Sequence, residues 1–588
     1  MVRTILIAAL AAAFLAAPAV AADRTVLMPG VTYERQVEFT SHGPVAIHVL
    51  TAPKPGGLWS VKPVLSNNAI LGTERVTAMQ REQARSATVA GVNGDLFAWA
   101  DGRPSGVLLR DGVLTTPPSP DRSSIGFAGD GTLRVERVRS FGTWRGNGQR
   151  RPVSLNASPG PNGISLLTPA WGPSTPVLPG SVEAVLLPFP ATRPNVDLQG
   201  PVIEVRSGGG GPIPVDGAVL VARGSAAQRL TAEAPVGSIV TTRVLLTPDW
   251  AGVTDAIGGG PLLVRDGRPI FRHFELFSPE QLARNPRTAV GQLADGRIVL
   301  VVVDGRQPGY SVGMTNFELA LTLVRLGAVV GSGLDAGGSS TMAFDGTLLN
   351  RPSDPDGERP VSEGLFVLYG GVYVAPPTEE VLSPNGDGVA ESQTLGYKLP
   401  RPATVTVTLI GPDNVSRTLE LGPKVAGSYR LPWTGLRDDG TPELEGAWRF
   451  GVSAVDDAGK SSTANRTFSL NQTLGGLSVA PPLLRVRPNG PALRAQFTLS
   501  RPAAVTASVE TTNGAVFAVV AQKRLAAGAQ TLTWNGTLGR ATLAHSGSYV
   551  LRIAAANELG RSELVTPFAI RRVAGPPRPG PARTARRG

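Results

Sequence analysis

Residues 285–306 read NPRTAVGQLADGRIVLVVVDGR, and this stretch decides the fold of the larger part of the chain. The run Ile298–Val303 is apolar without interruption, as expected of a strand covered on both faces. The Asp295-Gly296 pair before it is a hairpin-turn signal, so this strand is predicted to form a hairpin with the strand that precedes the turn. Arg287 and Thr288 precede the first strand, and Asp304-Gly305-Arg306 ends the second. That places Arg287 and Asp304 at neighbouring strand ends, either as an ion pair holding the sheet or as parts of a site.

The flanking sequence extends this core. VAIHVL (45–50), ATVAGVN (87–93) and GLFVLYG (364–370) read as further strands. TERVTAMQREQAR (73–85) reads as a helix with Thr73 as N-cap. TNFELALTLVRLG (315–327) reads as a second, with Thr315 and Glu318 as a capping box, Phe317, Leu321 and Val324 on one face, and Gly327 as its stop. AVVGSGL (328–334) then returns as a strand that delivers Asp335. The Pro-rich stretch 115–235 reads as a partly separate lobe. The expected architecture is multidomain: an α+β body over 22–375 with a mixed β-sheet and few helices, then two all-β immunoglobulin-like sandwiches over 376–478 and 479–573.

The sandwiches are predicted from a repeat. YKLPRPATVTVTL (397–409) matches FTLSRPAAVTASV (497–509), and the match continues through Trp433 and Trp534, which read as core residues. These units resemble FlgD-type Ig-like modules. The entry segment VLSPNGDGVAE (381–391) offers Asn385, Asp387 and Glu391 as oxygen ligands for calcium, or simply forms an Asn-Gly/Asp-Gly turn.

Composition narrows the chemistry. The 588 residues contain no cysteine and four histidines, none paired at metal-ligand spacing. Thiolate catalysis and Cys-ligated metals are therefore excluded, and a divalent cation would need oxygen ligands, as calcium or magnesium do. Residues 1–21, with Arg3 before an apolar run and Ala19-Val20-Ala21 at its end, read as a cleaved signal peptide. A secreted or cell-envelope protein with no transmembrane segment is expected. The net charge is +11. Residues 574–588 read as a basic disordered tail, either simply solvated or suited to an anionic cell-wall polymer. No motif points to nucleic acid.

Three polar clusters follow apolar strands. Asn93 and Asp95 lie in GVNGDLFAWADGRPSGVLL (91–109) and form either a plain turn or part of a site. Arg287, Thr288, Asp304 and Arg306 form the second. The third is Asp335 with Gly337, Gly338, Ser339, Ser340 and Thr341, whose glycines let N–H groups approach an anion or else mark a β-bulge.

Taken in order, NGDLF with PSGVLL, IGGGPLLVRDG, RTAVG, VVVDGR, SVGMTNFELA, LDAGGSSTM and ERPVSEGLFVL resemble the phosphodiester glycosidase family over about residues 40–370. That family typically reads DGGGSS where this chain reads DAGGSS. Ala336 thus replaces a glycine and is expected to alter the loop. The resemblance implies cleavage on the sugar side of a sugar–phosphate linkage. Asp335 and Asp304 would serve as carboxylates, in unresolved order of nucleophile and base. Arg287 and Arg306 would clamp phosphate with N–H groups from Gly337 to Ser340, and Thr288 would stand beside them. Asn93 and Asp95 would bind sugar hydroxyls or a cation. Arg359, in ERPVSEG, matches a further family position or forms a structural ion pair. The alternative function is a non-catalytic cell-surface module that binds glycans or wall polymers.

Overall fold

The computed structural model describes residues 24–270, 275, 283–538 and 542–573. The signal-peptide reading of 1–21 and the basic-tail reading of 574–588 lie outside the described residues. The chain divides into two compact units, 1–370 and 371–588. Among the described residues no helix is long and apolar enough to cross a membrane.

In the first unit the strands that position the site are β1 (Gly43–Ala52), β2 (Trp59–Leu65), β3 (Thr88–Asn93), β4 (Leu262–Arg265), β5 (Arg287–Leu293), β6 (Ile298–Val303), β7 (Ala328–Gly333), β8 (Met342–Phe344) and β9 (Glu363–Tyr369). One eight-stranded sheet runs Arg24–Met28, Val31–Thr40, β1, β6, β5, β7, β4, Arg268–Pro269. A five-stranded sheet runs Thr347–Leu348, β8, β3, β9, β2. Every pairing in these two sheets is antiparallel. The β5–β6 hairpin turns where expected: Gly296 N–H donates to Leu293 O, and Gly296 has φ +87°, which favours glycine. β6 is buried at every position, in keeping with its unbroken apolar run.

Three helices are described in this unit: α1 (Val76–Gln83), α2 (Ser225–Glu233) and α3 (Asn316–Arg325). The Thr315/Glu318 capping box is present on α3. Its buried face differs from the expected one. Leu319, Ala320 and Leu323 pack on Val45, Ile47, Val299, Val301 and Val303, whereas Phe317 and Leu321 are largely exposed. The α1 helix begins two residues late, with Arg75 as N-cap and no side-chain cap bond, so Thr73 does not cap it.

The Pro-rich stretch forms a second eight-stranded sheet within 139–247, with its own core around Trp144, Leu155, Leu186, Leu220 and Leu230. Here the sheet is mixed, since Ser154–Leu155 pairs in parallel with Ser165–Leu166.

The second unit contains the repeat. Each copy has a three-stranded and a five-stranded sheet in the same order of strands. Trp534 is buried in the later copy, and Trp433 packs on Trp448 and Phe468 in the earlier one, as core residues do. The turn at 383–391 is closed by its own bonds: Glu391 Oε1 accepts from Gly386 N (2.6 Å) and Gly388 N (3.1 Å), and Asn385 Oδ1 accepts from Asp387 N (3.2 Å).

Candidate active site

Asp335 stands two residues past the end of β7, where two strands fix it. Leu334 N–H donates to Thr288 O (2.9 Å) and Asp335 N–H donates to Gly94 O (3.0 Å). Its carboxylate lines a cleft of about 90 Å³ together with Leu96, Arg287, Arg306, Asn316 and Gly337. That is room for several waters or an anionic group. A larger cavity of about 500 Å³ lies among Phe141, Trp144, Arg151 and Arg229, away from every motif singled out above. Chemistry rather than size identifies the Asp335 cleft.

Burial pushes the Asp335 carboxyl from 3.8 to about 6, with the neighbouring Asp95 carboxylate adding to the rise. Hydrogen bonds from Ser339 and from Ala336 N–H (2.8 Å), and the charge of Arg359, oppose it. The group therefore exchanges its proton near neutrality, as a general acid or base must. Across the cleft Arg287 is buried and donates to Met314 O (2.9 Å) and Ala283 O. Arg306 is exposed and donates to Asn285 Oδ1 (2.9 Å). Among the described residues neither meets a carboxylate at ion-pair distance. Burial, and then the like charge of Arg306, lower Arg287 from 12.5 to about 10. These two guanidiniums, beside the first residue of α3, make an electropositive wall suited to an anion.

Several predicted residues serve the scaffold. Arg287 pairs directly with Val303. Side chains alternate along a strand, so Asp304 continues on the opposite face, with Val302 and its partner His48. There the Asp304 carboxylate accepts from His48 Nε2 (2.9 Å), Tyr310 OH (2.9 Å), Asn350 Nδ2 (2.8 Å) and Arg351 N–H (3.1 Å). Burial alone would push it up, but the bonds from His48, Asn350 and Tyr310 outweigh that and hold it below the usual carboxylate range. Asp304 does not line the Asp335 cleft.

Asn93 is likewise committed. Its Oδ1 accepts from Thr288 Oγ1 (2.7 Å) and Thr341 N–H (3.1 Å), and its Nδ2 donates to Asp335 O (3.0 Å). Asn93 and Thr288 thus hold β3, β5 and the Asp335 loop together rather than facing a ligand. Asp95 is buried and forms a two-pronged bond with Arg122 (2.6 and 2.8 Å). A Cβ on Gly258 or Gly106 would fall 2.0 or 2.4 Å from Asp95 Oδ2, so these glycines make room for it. Glu363, on β9, is fully buried, and its Oε1 accepts from Asp95 N–H (3.3 Å). Burial, and then the Asp95 charge, raise the Glu363 carboxyl well above its ordinary value. Arg122, Glu363 and His48 escaped the sequence reading because no spacing links them to the site. Strand pairing alone brings them in.

The loop after Asp335 is only partly as expected. Gly337 N–H donates to Pro286 O (3.0 Å) and Ser340 N–H to Gly337 O (3.1 Å), so two of the expected anion donors are used within the protein. The Ser340 hydroxyl is buried without a partner among the described residues. Gly337 has φ +70° and lies under Arg306; a Cβ there would be 3.0 Å from Arg306 Nη2. Ala336, by contrast, sits at φ −122° and ψ −177°, extended backbone open to any residue, so replacing the family's glycine leaves the loop intact. Arg359 grips Asp354 through two bonds (2.7 and 3.0 Å) and reaches Ser339 Oγ (3.4 Å), so it is both a structural ion pair and a neighbour of Asp335. Among the described residues no three acidic or histidine side chains gather in metal-holding geometry.

Comparison with known proteins bears on the same residues. The family model described as phosphodiester glycosidase matches residues 193–368, which include Arg287, Arg306, Asp335 and Arg359 but not Asn93 or Asp95. The SPbeta prophage-derived uncharacterized protein YomE of Bacillus subtilis is 32% identical over 118 residues, 20% of this chain and 18% of the relative. The N-acetylglucosamine-1-phosphodiester alpha-N-acetylglucosaminidase of Bos taurus is 40% identical over 68 residues, 12% of each chain. The basal-body rod modification protein FlgD of Salmonella typhimurium is 30% identical over 146 residues, 24% of this chain and 58% of the relative. The chain thus spans less than a fifth of the first two relatives and under two thirds of FlgD. The resemblance carried by the motifs is borne out: residues 193–368 form a phosphodiester glycosidase family match in a chain that also shares sequence with FlgD.

Proposed function

We propose that the chain is an exported hydrolase that cleaves the sugar–phosphate linkage of a sugar-1-phosphodiester, releasing free sugar and a phosphomonoester. The observation that carries this reading is one carboxylate, Asp335, raised to about 6 and lining one cleft with two guanidiniums that meet no acid among the described residues. A conventional glycosidase needs a second carboxyl to protonate its leaving group. A phosphomonoester, whose second ionisation lies near 6, departs as an anion without that help. Arg287 and Arg306 take the charge that develops on the phosphate as the C1–O bond breaks. Asp335, ionised, accepts the proton of the water that attacks the anomeric carbon, and Ser339 and Ala336 N–H hold it in place. Asp304, saturated by four donors, orders the loop that follows it and takes no proton. The activity named for the bovine relative and the leader-like residues 1–21 support the substrate class and the exported location. A pure glycan binder has no use for a buried acid tuned toward neutrality.

A panel of sugar-1-phosphodiesters, with products separated as sugar, sugar phosphate, alcohol and phosphomonoester, tests the reading. Free sugar with phosphomonoester is expected. Alcohol with sugar phosphate, or no turnover across the panel, overturns it.

A further inference from the structure

Of the eight tryptophans, seven are buried or half-buried, and Trp99 is 77% exposed. It lies on a loop closed by the Phe97–Pro104 bridge. That loop is held on several sides. Ala98 N–H donates to Arg103 O and Gly102 N–H to Ala98 O, both at 2.8 Å. Gly72 N–H donates to Asp101 O (2.8 Å), and Gly102 approaches so closely that a Cβ there would fall 2.4 Å from Gly72 O. Arg103 bonds Asp101 and rests 5.5 Å from the Trp171 ring. The exposed ring is therefore fixed in position before any ligand arrives, which lowers the ordering cost of binding to it.

The ring is also tied to the site. Phe97 backs it at 5.4 Å, and the Arg359 guanidinium lies 5.1 Å from its centroid. Arg359 in turn covers Gly338, where a Cβ would be 2.1 Å from Nη2, and reaches Ser339 Oγ, whose hydroxyl bonds Asp335. Trp99, Arg359, Ser339 and Asp335 thus form a continuous row from an exposed aromatic ring to the carboxylate. Leu96, on the same segment as Trp99, lines the cleft itself.

We infer that Trp99 is the stacking platform for the pyranose ring of the substrate. This rests on the proposed hydrolysis of a sugar-1-phosphodiester. The residues that line the cleft beside Asp335 include no aromatic side chain. The apolar C–H face of a pyranose needs a flat, electron-rich partner, and the tryptophan ring beside the cleft supplies one. Tyr310, by contrast, lies against Arg35 and Arg351.

Steady-state kinetics of Trp99→Ala and Trp99→Phe on a cleaved sugar-1-phosphodiester test the inference. Trp99→Ala is expected to raise KM by about 3- to 10-fold with kcat within about twofold, the range of one aromatic contact. Trp99→Phe restores most of the loss. The inhibition constant of the free sugar rises with KM, while that of inorganic phosphate and the pH profile stay put. Unchanged KM and sugar inhibition in Trp99→Ala overturn the platform and leave the hydrolase standing. A shifted pH profile or weakened phosphate inhibition also overturns it, since the ring then only holds Arg359. A wild-type protein that turns over no sugar-1-phosphodiester removes both readings.

Discussion

Asp335→Asn should inactivate the protein and stabilise it at neutral pH. The carboxyl rises from 3.8 in the unfolded chain to about 6 in the folded one. At ~1.4 kcal/mol per tenfold, that is a cost to folding of about 3 kcal/mol once the group is ionised. The sign follows from proton uptake. Between pH 3.8 and 6 the folded state binds more protons than the unfolded state, so stability falls as pH rises through that window. Below it the cost vanishes, and above it the cost is constant. An asparagine at 335 keeps an oxygen for Ala336 N–H and offers its NH2 to Ser339 Oγ, so the loop's bonds survive. The assay is thermal or urea unfolding of wild type and variant at pH 4 and pH 7, following the transition of the 1–370 unit. The variant's advantage should be near zero at pH 4 and approach about 3 kcal/mol at pH 7, while turnover falls by about 10²- to 10⁴-fold. An advantage that does not grow with pH, or a variant that retains turnover, refutes the reasoning.

Three further outcomes follow from the same geometry. Arg306→Ala should lower kcat/KM by about 10- to 100-fold through one lost charge-assisted bond to phosphate, with little change in melting because the side chain is exposed; an unaltered kcat/KM counts against the anion wall. Asp304→Asn should destabilise the fold by about 2–3 kcal/mol at pH 7 by weakening the bonds from His48, Tyr310 and Asn350. Because its folded carboxyl lies below the ordinary range, that stability is present above pH 4 and lost on acidification, and a urea series against pH reads it. Ala336→Gly should leave activity unchanged, whereas Gly337→Ala should impair both folding and turnover because φ +70° and the Arg306 guanidinium oppose a Cβ; parallel assays of the pair decide.

The central hairpin was legible because its signals are local. Six consecutive apolar residues and an Asp-Gly pair specify a buried strand and its turn. The capping box of α3 and the 100-residue repeat were legible for the same reason. Side-chain direction was not legible in the same way. Phe317, Leu321 and Val324 have a helical spacing, yet the core lies on the Leu319–Leu323 side, and only the sheet beneath decides between the two faces. Asp304 was placed with Arg287 because their strand ends are adjacent, but the two-residue alternation turns it toward His48. Asp335 was legible as the acid at the end of a returning strand. What tunes it was not, since Asp95 reaches it from a separate segment, held there by Arg122 and Glu363.

The proposed mechanism requires that the bond broken lie on the sugar side of the phosphate. Hydrolysis of a sugar-1-phosphodiester in ¹⁸O-water measures this directly, with the label located by mass spectrometry. ¹⁸O at C1 of the released sugar and none in the phosphomonoester is expected; ¹⁸O in the phosphate would contradict cleavage on the sugar side.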